Sequence, residues 1–93
     1  MQTARVVGNV WATRKEPSLN GLKLLIVEPY DPNTGEKSKA IVAADAVGAG
    51  IGELVIVVSG STARKALKKD DIAVDATIVG IIDEVEVEEG EKG

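Results

Sequence analysis

The chain has no cysteine and no histidine in its 93 residues. Disulfides, thiolate nucleophiles, imidazole metal ligands and every Ser-His or Cys-His catalytic pair are thereby excluded. Phenylalanine is also missing, and Trp11 and Tyr30 are the only aromatic side chains. A surface that stacks nucleic-acid bases would have almost nothing to stack them on. Nor do the positive charges form a stripe. Arg5, Arg14, Lys15, Lys23, Lys37, Lys39, Arg64, Lys65, Lys68 and Lys69 are scattered, and the net charge is −4. No apolar run approaches the roughly 18 residues of a membrane span, and Met1-Gln2-Thr3-Ala4-Arg5 opens no stretch of signal-peptide length. The expectation is a cytoplasmic chain with no membrane or nucleic-acid partner. An enzyme would have to rely on a carboxylate pair or a lysine, and no spacing supports either. No catalytic residue, cofactor or metal site is expected.

What remains is a small, aliphatic, glycine-rich chain. Ninety-three residues make one domain, and with so few aromatics Val, Ile, Leu and Ala must fill its interior. Such side chains suit a narrow barrel closed by its own strands. Ten glycines exceed the usual roughly 7%, as short strands joined by tight bends require.

Residues 4–13 alternate, with Ala4, Val6, Gly8, Val10 and Ala12 on one face and Arg5, Val7, Asn9, Trp11 and Thr13 on the other. A loop punctuated by Pro17 and Asn20-Gly21 follows, then a second strand over 22–28. The Asp31 to Gly35 stretch reads as a turn, and 39–45 returns as a third strand. Residues 53–59 form a fourth strand, and Ser59 or Ser61 caps a short helix that Asp70-Asp71 terminates. A fifth strand spans 76–83, with Gly80 as a bend, and the alternating 84–88 read as an exposed edge strand. The predicted fold is all-β: a small five-stranded barrel with one short helix and a C-terminal edge strand. Residues 1–88 form the domain, and 89–93 an acidic flexible tail.

The stretch from Gly48 to Arg64 carries the most information. Gly48, Gly50 and Gly52 resemble a phosphate loop, but such loops open a helix. Here Leu54 to Val58 follow, a β-branched run suited to a buried strand. Gly60-Ser61-Thr62 also lacks the lysine of a phosphate-binding motif. The glycines serve tight turns or the close approach of another chain. Leu54 to Val58 and Ile78 to Ile82 are apolar on both faces, whereas a barrel buries only the inner one. Either the helix covers the rest or a neighbouring subunit does, and one helix is small for two strands. An oligomer is expected.

Six segments carry a resemblance: Gly21 to Val27, Val42 to Asp45, Gly48 to Glu53, Gly60 to Arg64, Val74 to Ala76 and Val79 to Asp83. In this order they resemble the pentameric vertex proteins of bacterial microcompartments, of the carboxysome and ethanolamine-utilisation type. The resemblance runs from Met1 to about Val87. It implies a small β-barrel, related in shape to oligonucleotide-binding folds, that assembles as a homopentamer and caps the corners of a polyhedral shell whose facets are hexamers of another fold. Thr62 and Ala44 depart from the family pattern conservatively. The alternative function is an oligonucleotide-binding module for single-stranded nucleic acid.

Gly48, Ala49, Gly50, Gly52, Glu53, Asp45, Asp83 and Trp11 are the candidates for a subunit interface or pore. Trp11, a residue type usually found in the core, falls on the outer face of the first strand beside Val7, where it suits an interface anchor. The resemblance places Gly60, Ser61, Thr62 and Arg64 at the contact with facet hexamers. Local readings stand beside these. Asp45 and Asp83 each end an apolar strand and could be turn residues, and Glu53 could be solvated. Arg64 has Glu53, Asp75 or a neighbour's acids as carboxylate partners. Glu84, Glu86 and Glu88 read as solvated edge charges rather than a cation site.

Overall fold

The computed structural model describes residues 1–12, 15–68 and 73–85. Its elements in chain order are β1 (Gln2–Asn9), β2 (Leu24–Pro29), β3 (Ile41–Asp45), β4 (Leu54–Ser59), α1 (Gly60–Ala66) and β5 (Ala76–Ile82), with a short 3-10 turn at Pro17–Leu19. The strands close into a barrel in the order β1-β2-β3-β5-β4, and β4 returns to pair with β1. Every pairing is antiparallel except β3 with β5. That parallel seam is only two residue pairs long, Ala44 with Thr77 and Asp45 with Ile78.

Alternation decides what lies inside. Ala4 and Val6 of β1, Leu25 and Val27 of β2, Ala43 of β3, Val55 and Val57 of β4, and Ala76 and Ile78 of β5 form one buried cluster. Their small volumes explain how the barrel fills without an aromatic ring. A second apolar layer lies outside the barrel wall. Ala44, Val58, Val74 and Ala63 of α1 pack there, with Leu19, Leu22, Leu24, Leu67 and Val79 against them. The run Val57-Val58 is therefore apolar on both faces because one side meets the interior and the other meets α1. Thr77 is fully buried beneath the helix, and its Oγ1 donates to the Ala63 carbonyl at 2.9 Å.

Several boundaries differ from expectation, β2 beginning at Leu24 rather than 22 and β3 at Ile41 rather than 39. The first strand stops at Asn9 rather than 13, because β2 begins at Leu24. The Val10 N–H still donates to the Leu24 carbonyl at 3.1 Å. Trp11 consequently leaves the sheet. The helix starts at Gly60, so Ser59 holds the N-cap position, but its side chain makes no capping bond. It ends at Ala66, and Lys68 takes a left-handed φ of 58°. The expected terminators Asp70 and Asp71 lie outside the described residues. The expected C-terminal edge strand is not formed at Glu84 or Val85. Strand β4 begins at Leu54, opposite Ile82, so Asp83 to Val85 have no further β4 residue on which to continue the ladder. Residues 86–93, with the remainder of that strand and the tail, lie outside the described residues.

Gly80 does more than bend β5. It pairs with Ile56, and a Cβ there would stand 3.2 Å from Ile56 Cδ1. Glycine lets the isoleucine lie flat across the outer wall.

Candidate functional site

The glycine stretch is a loop built by two carboxylates. Asp45 closes β3, and its side chain is 1% exposed. Its Oδ1 accepts the N–H groups of Val47 and Gly48, both at 3.0 Å, and its Oδ2 accepts that of Ala49 at 2.9 Å. Lys23 Nζ lies 3.5 Å from the same carboxylate and donates to the Ala49 carbonyl at 2.8 Å. Glu53 closes the second turn: its Oε1 accepts the Gly50 N–H at 2.6 Å, and its own N–H donates to the Gly50 carbonyl at 3.1 Å. Three further bonds lash the loop to β1. The Gly52 N–H donates to the Val6 carbonyl at 2.8 Å, the Val6 N–H to the Glu53 carbonyl at 3.0 Å, and Arg5 Nη1 to the Gly52 carbonyl at 2.8 Å.

This geometry disposes of the phosphate-loop reading on chemical grounds. A phosphate loop holds its anion on free backbone N–H groups. Here those of Val47, Gly48, Ala49 and Gly50 are occupied by the chain's own carboxylates. Gly48 and Gly52, at φ 81° and 92°, take the left-handed turns for which glycine is suited. Gly50 is not left-handed. The loop therefore presents a fixed backbone with Val47 and Ile51 outward, 40% and 61% exposed. Ala49 departs from its expected place at a subunit contact, because its side chain is fully buried in the barrel interior. The Val47 and Ile51 tips were missed in the sequence, where only the glycines between them were conspicuous.

The other expected residues are dispersed. Asp83 is exposed just past β5. Trp11 is 91% exposed and edges a groove of about 410 Å³ with Val10, Leu22, Leu24, Lys15 and Lys23. Ser61 and Thr62 are exposed on the first turn of α1. Gly60 turns β4 into the helix at φ 65°, its N–H donating to the Asp75 carbonyl at 2.9 Å. Arg64 is half-buried and donates from Nη1 to the Val74 carbonyl at 3.2 Å. Among the described residues its guanidinium pairs with no carboxylate, so a backbone oxygen takes the place expected for Glu53 or Asp75.

Loop, barrel and helix together match a known protein family over residues 1–83, that of the ethanolamine utilisation protein EutN/carboxysome. The chain belongs to this family. A carboxysome shell vertex protein, CcmL of Synechocystis sp., is 47% identical over 97% of this chain and 90% of its own length. The bacterial microcompartment shell vertex protein EutN of Escherichia coli is 44% identical over 91% of this chain and 90% of its own. Among solved structures, the GrpN pentameric microcompartment shell protein from Rhodospirillum rubrum superposes with a TM-score of 0.83. It is 41% identical over 94% of this chain and 99% of that one.

Proposed function

We propose that this chain is a structural vertex subunit of a bacterial microcompartment shell, acting as a homopentamer in the cytoplasm rather than as a catalyst. The observation that carries the reading is the match along nearly the whole of both chains to a solved pentameric shell protein. The physical features agree with it. The outer wall carries exposed Val7 and Val42, and the glycine loop carries exposed Val47 and Ile51. Apolar side chains left on the wall of a domain this small suit burial against other subunits.

The function is geometric. A flat sheet of six-fold tiles cannot close, and five-fold units at selected positions supply the curvature. A ring requires a head-to-tail contact whose rotation closes after five copies. In this reading the glycine loop, with Gly48, Gly50, Gly52 and Glu53, lies at a subunit boundary or near the ring axis, and Trp11 and Asp83 lie at subunit contacts. The corner from Gly60 through Ser61 and Thr62 to Arg64 faces the hexameric facet proteins. Asp45 and Glu53 act within the chain, holding the loop in the shape that a neighbour meets.

Light scattering on the purified chain tests this. Five chains of 9.7 kDa give 48.5 kDa. A monomer throughout the micromolar range refutes the vertex reading, and a hexamer refutes its five-fold geometry.

A further inference from the structure

The pair Asn20-Gly21, which punctuates the loop before β2, sits in a defined turn. Asn20 has φ −61° and ψ 134°, and Gly21 has φ 83°. The Leu22 N–H closes the turn by donating to the Leu19 carbonyl at 3.1 Å. These angles are those of a type II turn, whose third residue takes a positive φ and is therefore glycine. Asn20 and Gly21 are both exposed. The turn bond is made by the nitrogen of Leu22, so the nitrogen of Gly21 is not the one committed to it.

An asparagine followed by glycine can react with its own backbone. Once base has taken its proton, the Gly21 nitrogen attacks Asn20 Cγ. The bond from Cγ to the side-chain nitrogen breaks, and that nitrogen leaves as ammonia with a proton from solvent. A five-membered cyclic imide remains, and glycine adds no side chain to crowd its formation. Water then cleaves one of the two ring C–N bonds. Cleavage at Cγ leaves an ordinary aspartate. Cleavage at the main-chain carbonyl, the more electrophilic of the two, leaves isoaspartate, whose backbone runs through Cγ. The balance is one water consumed and one ammonia released.

The other asparagines, Asn9 and Asn33, are placed against this reaction. Asn9 ends β1 opposite Leu25, and the β-branched Val10 after it donates its N–H to the Leu24 carbonyl at 3.1 Å. Asn33 precedes Thr34, which is also β-branched, and its own N–H donates to Asp31 Oδ1 at 2.8 Å. At Asn20 the turn governs the rate. Ring closure requires its ψ to leave the extended value of 134°, so the Leu22 to Leu19 bond must first open.

We propose that Asn20 is a self-modifying site, converted by water to isoaspartate, and that the change is felt at the glycine loop. Leu19 and Leu22 flank the pair and pack against the apolar layer that includes Ala63 of α1. The chain between them is thus held at both ends, and isoaspartate lengthens its backbone by one atom. Lys23 follows directly. Its Nζ donates to the Ala49 carbonyl at 2.8 Å and lies 3.5 Å from Asp45. The new carboxylate also arises next to Gly21, which borders the groove of Lys15 and Lys23. The longer backbone moves Lys23, and the new charge competes with Asp45 for its ammonium.

Trypsin cuts after Lys15 and Lys23, and residues 16–23 hold no asparagine but Asn20. The full chain is aged in mildly alkaline buffer and its peptides are followed by mass spectrometry, with enzymatic methylation to read isoaspartate. The 16–23 peptide should gain the mass of an amide-to-acid change, mostly as isoaspartate, while the peptides holding Asn9 and Asn33 stay unchanged. Asn20→Gln should abolish the gain. The chain unfolded in urea should convert about fivefold faster, the factor set by one net hydrogen bond. No gain at Asn20, or an equal gain at Asn9 or Asn33, overturns the site. Equal rates in folded and unfolded chain overturn the turn's control of it. The Ala49 amide should exchange hydrogen several-fold faster in the aged chain than in the fresh one. Asn20→Asp, which has the charge without the longer backbone, should lie between them. An Ala49 amide as protected in the aged chain as in the fresh one overturns the link to the glycine loop.

Discussion

Asp45 is the residue on which the loop depends most, and replacing it isolates that role. In Asp45→Ala three N–H groups lose their acceptor. Those of Val47 and Gly48 sit on exposed residues, where water replaces the carboxylate at small cost. The N–H of Ala49 belongs to a residue with no exposed surface and is left without a partner. An unsatisfied buried donor costs about 1–3 kcal/mol, and each lost bond to a charged acceptor adds a fraction of its roughly 1.5–3 kcal/mol. Lys23 Nζ, half-exposed, loses its ion pair but keeps the Ala49 carbonyl and water. The sum is about 3 kcal/mol. For a domain of this length, 1 kcal/mol corresponds to roughly 4–8 °C, so the melting temperature should fall by about 15 °C. Asp45→Asn restores the bonds at one oxygen but turns an amide donor towards the Ala49 N–H, and should recover about half. Thermal unfolding by circular dichroism at a fixed protomer concentration measures both, since assembly makes the midpoint depend on concentration. Hydrogen exchange at the Ala49 amide gives the local readout and should speed up in both variants. A shift under about 5 °C in Asp45→Ala, with Ala49 still protected, would refute the claim that this carboxylate organises the loop.

Two further substitutions separate backbone geometry from contact. Gly52→Ala places a side chain at φ 92° with open space around it, so its cost is conformational, about 1–2 kcal/mol. Gly50→Ala meets only Glu53 Oε1 at ordinary contact, 3.5 Å, and should cost under about 0.5 kcal/mol in urea unfolding. Equal costs would mean the left-handed turn is not the constraint. Arg64→Ala removes a single half-buried bond to the Val74 carbonyl and should destabilise the chain by about 1 kcal/mol, leaving the ring intact in sedimentation. Co-expressed with facet proteins, it should give uncapped or elongated shells if the corner meets them. Dissolution of the ring instead would place Arg64 at the five-fold contact.

The barrel was legible because its signals are local and periodic. Ala4 and Val6, Leu25 and Val27, and Val55 and Val57 each point inward at a spacing of two, and all are buried. Boundaries were less legible because a strand ends where its partner ends. Nothing between Asn9 and Thr13 announces that β2 waits until Leu24. The candidate site was half legible. Glycines at 48 and 52 marked the turns, and the structure gives both a positive φ. The partner of Asp45 was not readable from a strand-terminal aspartate, which serves an intrachain turn or a neighbour equally well. Its choice depends on the chain curling back so that Val47, Gly48 and Ala49 aim three N–H groups at one carboxylate. Arg64 shows the same limit. A guanidinium near several acids in sequence found a backbone oxygen, because the connection to β5 brings Val74 under it.

The two-faced apolar strands lead to the last step. An oligomer was expected because one helix looked too small to cover them, and the structure divides that surface. On β4, α1 covers Val58, while Ile56 lies flat over Gly80 and is only half-buried. On β5, Val79 packs into the layer beneath the helix, but Ile81 remains 37% exposed. Helix and glycine together thus cover one side of the barrel and leave apolar surface elsewhere. The β1–β4 wall and the β3 edge belong to that remainder. At the usual 25 cal/mol per Å², covering even a few hundred Å² of it contributes several kcal/mol per subunit contact before the cost of association. A marginal 93-residue barrel has every physical reason to recover that energy from a neighbour. The closed sheet denies it a broad edge to do so by aggregation.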